Sequence, residues 1–226
     1  MRLEDHNLID LLFADETGFN LVPYIPYGWQ PVGKQITIRS SKDHVCNLLG
    51  FLTRKGVLKV WSTAQSINSD FVIECIDELA DQIEKPTVVV LDNAPWHASA
   101  KVKIKEKEWN EKNLYLFFLP TYSPHLNLIE ILWRKIKYEW LNAEDYLSAN
   151  KLKEALMYII RKYDDEFSIN ISMNFYGTIT LTVASVSESF FFVQARSNLN
   201  CPFFVSLFVC TSNNHPYLFA PIFITP

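Results

Sequence analysis

A chain of 226 residues with 49% apolar side chains has room for one ordinary core and a segment beyond it. Its formal charge of −4 excludes a uniformly basic nucleic-acid binder, so contact with a polyanion has to come from local clusters or bridging cations. Cys46, Cys75, Cys201 and Cys210 lack the spacing of a zinc site or disulfide framework, and the N-terminal MRLEDHNLIDLLF carries charge where a signal peptide needs an apolar run. No stretch approaches the roughly 20 apolar residues of a membrane-spanning helix, so a soluble cytoplasmic protein without membrane contact is expected.

In chain order, Leu8–Ala14 is a compact apolar run that predicts a central strand, with Asp15 ending it or lying within it. Gln35–Ile38, Val45–Leu52 and Val57–Trp61 read as further strands. The last two flank Thr53-Arg54-Lys55-Gly56, whose glycine can supply the positive φ of a hairpin. Asn68 or Ser69 can cap a helix with Ile73, Ile76, Ala80 and Ile83 on one face, stopped before Pro86. Thr87–Leu91 is the β-branched run of a fully buried strand, and Asp92 follows at once. A charged helix is expected over Ala98–Lys112 and a buried strand over Leu114–Leu119, followed by a helix that Pro124 and Asn127 introduce and that runs to about Trp140. Ser148 caps a last helix, with Leu152, Leu156, Ile159 and Tyr163 at spacings of four, three and four. This order predicts an α/β fold over residues 1–166, a mixed five-stranded sheet flanked by helices.

Composition changes near residue 167. From there to Pro226 the charged side chains are Glu188 and Arg196 alone, and runs such as Phe190-Phe191-Phe192 have no helical period. Residues 167–226 read as an atypical Phe/Ser-rich tail from readthrough or a frameshift, or else as a small β-rich appendage.

Asp15, Asp92 and Glu130 are the candidate site. Each is flanked by apolar residues, so each is a charge held near a buried edge, at a cost unless a cation is close. Asp92 stands at the C-terminal edge of its strand, where open α/β sheets place functional groups. Glu130 lies in the first turns of its helix, with 37 residues between it and Asp92. A hard cation such as Mg2+ takes few protein carboxylates and fills its other positions with water and phosphate oxygens. Two such ions about 4 Å apart suit phosphoryl transfer. Taken singly, an aspartate at a strand end is as readily a turn former or a helix cap.

Three segments add to that reading: FADETGF at 13–19, VVVLDNAPWH at 88–97 and LPTYSPHLNLIEILWRKIK at 119–137. Together they resemble the DDE superfamily of transposases, most closely the bacterial insertion-sequence branch related to mariner elements, over roughly residues 9–165. Tyr27-Gly28-Trp29 and Asn47-Leu48-Leu49-Gly50 also look like that branch. The resemblance implies a ribonuclease-H-like (retroviral-integrase-like) fold, with Asp15, Asp92 and Glu130 as catalytic metal ligands. It further implies Mg2+, with Mn2+ as substitute and two ions in the site, serving to cut DNA at transposon ends and join the 3′-hydroxyl to target DNA. The implied working form is a homodimer in a synaptic complex. Members of the branch carry helix-turn-helix modules before the catalytic domain, whereas about 14 residues precede Asp15 here. A separate or missing module is therefore expected, as in a fragment or one frame of a split gene. A ribonuclease-H-type nuclease without strand transfer, and an inactive remnant that acts only as a binding partner, are the competing expectations.

Glu130, Arg134 and Lys137 step by four and three along one helix stripe, beside an apolar stripe of Ile129, Leu132, Ile136 and Trp140. A carboxylate for metal beside cations for phosphates suits strand cutting; for Arg134 a surface pair with Glu130 is the alternative. Lys101, Lys103, Lys105, Lys107 and Lys112 make the most basic local patch, but Glu106, Glu108 and Glu111 interleave and favour a solvated charged face. In the resembling family the segment with Asn93 and His97 lines the active site. Trp29 and Trp133 are candidates for stacking on bases, or for the core. A zinc site from Asp92, His97 and His125 matches no standard spacing.

Overall fold

The computed structural model describes residues 4, 6–24, 40–92, 99–120 and 123–169, together with the backbone of 180–187, 190–196, 204–212 and 215–219. Five strands form one mixed sheet: β1 (Asp10–Asn20), β2 (His44–Thr53), β3 (Leu58–Thr63), β4 (Thr87–Leu91) and β5 (Leu114–Phe118), hydrogen-bonded in the order β3-β2-β1-β4-β5. Its helices are α1 (Ser69–Ala80), α2 (Ala100–Glu111), α3 (Ile129–Lys135) and α4 (Ala149–Arg161). The expected strand at Gln35–Ile38 lies outside the described residues. The chain divides into two compact units, one of Met1–Leu12, Ser69–Leu126 and Ser172–Pro226, the other of Phe13–Asn68 and Asn127–Ile171.

In the first unit β4 and β5 run parallel, in register from Thr87↔Leu114 to Leu91↔Phe118, and every residue of β4 is buried. The N–H of Leu119 donates to the carbonyl of Leu91 at 2.7 Å, carrying the pairing to the residue before Asp92. On α1 the buried face is Val72, Cys75, Ile76, Leu79 and Ala80, a correction to the expected stripe. Ile73 is only half-buried on its flank and Ile83 lies beyond the helix end. The helix carries two overlapping apolar stripes, and the wider one packs. Ser99 caps α2, its hydroxyl oxygen accepting from the Val102 N–H at 3.4 Å. Trp109 is fully buried, and its indole N–H donates to Asp77 at 2.8 Å. Lysines of α2 and its C-cap pair with acids of α1 and the residue after it: Lys101 with Asp70 at 2.6 Å, Lys105 with Asp77 at 3.2 Å, and Lys112 with Asp81. Three of the five lysines of the basic patch are thus held in surface ion pairs. The backbone of β6 (Thr180–Ser187), β7 (Phe190–Arg196), β8 (Phe204–Ser212) and β9 (His215–Phe219) forms an antiparallel sheet in sequence order.

In the second unit β1 runs past Ala14 to Asn20, because Thr17 and Phe19 continue the alternation that buries one face while Gly18 is exposed. Asp15 is therefore mid-strand. β2 and β3 pair antiparallel through the expected hairpin, in which Gly56 has φ 90° and donates its N–H to Thr53 O at 3.0 Å. The helix expected to run to Trp140 is α-helical over Ile129–Lys135 and then opens into a π-helical turn over Ile136–Trp140. A 3-10 turn at Ala143–Leu147, opened by a reciprocal Asn142–Asp145 cap, buries Tyr146. Ser148 then caps α4, which buries Leu152, Leu156 and Ile159 as their spacing predicts. Among the described residues no helix is long and apolar enough to cross a membrane.

Candidate active site

Three contacts seat α3 against the sheet, all within the second unit. The first is at its start. Asn127, 3% exposed, donates its side-chain N–H to the Ala14 carbonyl at 2.9 Å, next to Asp15 on β1. Asn127 therefore tethers the helix to the strand and does not cap it; Leu128 occupies the cap position and makes no side-chain bond there. The second contact is in the middle of the helix. A Cβ at Gly50 of β2 would stand 2.7 Å from the Trp133 ring and 2.8 Å from Ile129, so the absence of a side chain there is what lets α3 settle. The third is beyond α3, where Lys137 Nζ lies 5.2 Å from the centroid of the Phe19 ring and 5.3 Å from that of Tyr24. From Ala14 to Phe19 a strand advances roughly 16 Å, and from Asn127 to Lys137 a helix rises roughly 15 Å. The two elements therefore keep pace.

That seating decides what faces what. Asp15, Thr17 and Phe19 share one face of β1, and Glu130 and Lys137 stand seven residues apart on the helix. Asp15 and Glu130 are half-buried. Both act electrostatically on the Lys137 ammonium: burial pulls its pKa below the ordinary lysine value, and the two carboxylates pull it back up. Tyr24, which helps to hold that ammonium, is in turn braced edge-on by Tyr138 at 5.9 Å.

The remaining expectations divide. Asp92 is half-exposed, directly past the C-terminal end of β4 in the first unit. Arg134 is exposed. Trp133 is 3% exposed, which removes it as a base-stacking candidate: the indole fills the space above Gly50. It takes the core place expected of Trp140, which lies in the wider π turn and packs against Phe167 at 5.2 Å. His125 is exposed. Among the described residues no three His, Cys, Asp or Glu side chains form a group able to hold a metal ion. Asn93, His97 and Trp29 lie outside the described residues.

Sequence reasoning missed Asn127 as a tether, Gly50 as a seat, and Phe19 with Tyr24 as a cradle. A lone glycine inside the apolar run Leu48–Leu52 was the available signal for the second. The apolar alternation after Asp15 was the signal for Phe19.

Compared with known proteins, the family described as DDE superfamily endonuclease matches residues 10–153, a stretch that includes Asp15, Asp92 and Glu130. An uncharacterized protein of Sinorhizobium fredii, y4pE/y4sA, is 38% identical over 55 residues, 24% of this chain and 36% of that protein. Among solved structures, the Mos1 transposase paired-end complex with left transposon end superposes with a TM-score of 0.50 at 14% identity, over 73% of this chain and 52% of that one. The Mos1 strand transfer complex gives 0.49 at 15% identity, over 73% and 51%. At such identities the likeness concerns the fold, which is the ribonuclease-H-like arrangement expected. The chain spans about half the length of these solved chains and 36% of the Sinorhizobium protein.

Proposed function

Because this chain belongs to the DDE superfamily endonucleases, we propose that it is the catalytic domain of a transposase, cleaving DNA at transposon ends and transferring the freed 3′ end to target DNA. The observation that supports this is the seating of α3 along β1, where Asn127, three residues before Glu130, donates to the carbonyl next to Asp15 inside the stretch matched by the family. Asp15, Asp92 and Glu130 are the proposed catalytic residues and metal ligands.

The donor chemistry fits Mg2+, with Mn2+ as substitute. All three groups are hard oxygen donors, and so small a protein ligand set leaves positions for water and phosphate oxygens. Bound there, a pair of divalent ions supplies charge stabilisation to the attacking and leaving oxygens of an in-line displacement. The chain's own residues hold the site ready. The Asn127 tether fixes the approach of α3 beside Asp15, and Trp133 on Gly50 prevents that helix from sliding. Lys137 keeps positive charge within the field of the two carboxylates, and the exposed Arg134 offers a second cation to the DNA backbone. Asn93 and His97, following Asp92, are assigned to orienting water or phosphate, and Trp29 to stacking on a base. The substrate is DNA, with two transposon ends and a target held in a homodimeric synaptic complex. The paired-end assembly named for the Mos1 structure supports that reading.

The test uses the full chain with supercoiled plasmid and Mn2+. Nicking is expected, and Asp92→Asn is expected to abolish it; nicking untouched by that substitution would take the activity away from this site. An oligonucleotide with a precut 3′ end then reads strand joining, and hydrolysis without joining would leave a nuclease in place of a transposase.

A further inference from the structure

The π-helical turn after α3 presents an aromatic ring to solvent. Tyr138 is 48% exposed, and a single exposed tyrosine is ordinary on a protein surface. This one has company. Its ring stands edge-on to that of Tyr24, with centroids 5.9 Å apart and planes at 70°. Tyr24 is half-buried, and its ring also lies against the Lys137 ammonium, 5.3 Å from the centroid. The same ammonium is 5.2 Å from the Phe19 ring on β1. Lys137 and Tyr138 are neighbours in sequence, and one shared ring holds both in place. The turn that carries them is closed by the Leu141 N–H donating to the Ile136 carbonyl at 3.1 Å, and π turns set into helices recur at functional sites.

An anchored cation and a half-open aromatic ring on one support are what an unpaired nucleotide uses. The ring accepts a base of any identity by stacking, and the ammonium attracts phosphate. A duplex, whose bases already stack on one another, would use the cation alone. Phe19 is four residues past Asp15 on β1, roughly 13 Å along the strand. A DNA strand covers that length in about four nucleotides, so one bound strand can serve both places. We propose that Tyr138, braced by the Tyr24 ring that also seats the Lys137 ammonium, stacks on an unpaired base of the DNA substrate. This rests on the reading of DNA as the substrate and names the form of DNA the site takes: a strand with at least one base outside the duplex.

Binding is read without metal, by fluorescence anisotropy of labelled oligothymidylate with the full chain in EDTA at low salt. Tyr138→Ala is expected to weaken the complex about tenfold, and Tyr138→Phe, which keeps the ring, to restore it. The alanine variant should melt near the wild-type temperature, since the side chain is half in solvent. Tyr138→Leu keeps apolar bulk without a π face and repeats the measurement if the alanine variant fails to fold. With the oligothymidylate annealed to oligoadenylate, wild type and Tyr138→Ala should bind alike. They should also bind alike to a strand carrying abasic sites, which a general loss of structure would not produce. Equal affinity of wild type and Tyr138→Ala for oligothymidylate would overturn the stacking, and so would a loss that persists in full on the abasic strand. A ring that joins two copies of the chain would instead change the sedimentation coefficient in Tyr138→Ala and leave strand affinity untouched, which also overturns it. Should the wild-type chain bind neither strand nor duplex, DNA as the substrate fails; should it bind duplex while the Tyr138 comparisons stay flat, the stacking alone fails.

Discussion

The first compact unit neutralises the charges of α1 and α2 in the open, whereas the second, where α3 and the turn after it meet β1, draws one charge inward. On α2 the lysines meet acids of α1 at the surface, and the partners in the Lys101–Asp70 pair are 64% and 61% exposed. Such pairs are screened by water and contribute little each. In the second unit one lysine is desolvated against two rings and within the field of two half-buried carboxylates. Charge is worth more where water is scarce, and groups held that way are the ones chemistry uses. Abundance of lysine on α2 is therefore the weaker pointer to function, and a single enclosed lysine the stronger.

The sharpest way to break this contrast is to neutralise one member of each arrangement. Glu130→Gln is expected to reduce plasmid nicking by roughly 100-fold or more, while Lys112→Ala should leave nicking at the wild-type rate; equal losses in the two variants on the same gel would erase the distinction. Next in size is Gly50→Ala, whose methyl would press into Trp133 at 2.7 Å. It should lower unfolding stability by about 1–3 kcal/mol and slow nicking with it, because the helix under strain is the one that carries Glu130. Urea denaturation measures the first effect, and a stability unchanged within error would show that α3 is not held by this seat.

Alkaline titration compares the units through one buried group in each. Burial pushes the Cys75 thiol on α1 from 9.0 up to about 12 and the Tyr146 hydroxyl from 10.0 up to about 12. Below pH 9 both are protonated in either state and their contribution is complete. Above it the unfolded chain releases protons that the folded chain keeps, so stability falls as pH rises toward 12. The decline should begin near pH 9 with Cys75 and steepen past 10 with Tyr146. Cys75→Ala should remove roughly 1 kcal/mol of the loss seen by pH 10, relative to its own value at neutral pH. Chemical denaturation at stepped pH reads this, and a wild-type curve flat to pH 10 would contradict it. The smallest effect is expected of Lys101→Ala, at about 0.5 kcal/mol or less, with a melting temperature nearly insensitive to added salt.

Much of the architecture was legible because it is local. Val45–Leu52, the Gly56 turn and Val57–Trp61 announce their hairpin through alternation and one glycine. Thr87–Leu91 declares itself buried by composition, and Ser148 with Leu152, Leu156 and Ile159 specifies a capped amphipathic helix. Asp15, Asp92 and Glu130 could be nominated from their strand and helix positions and from the wording around them. The face of α1 was less legible, since Ile73 and Val72 offer competing stripes one residue apart.

What the amino-acid order determined by itself was which segments become strands and helices. The tertiary structure alone decided the company each polar group keeps. Asn127 bonds a carbonyl 113 positions earlier, Lys137 rests on rings more than 110 positions away, and Trp133 disappears over Gly50. Periodicity reports only whether a side chain points toward some core. The identity of its partner depends on where chain segments distant in sequence come to lie, and no local pattern of residues carries that information.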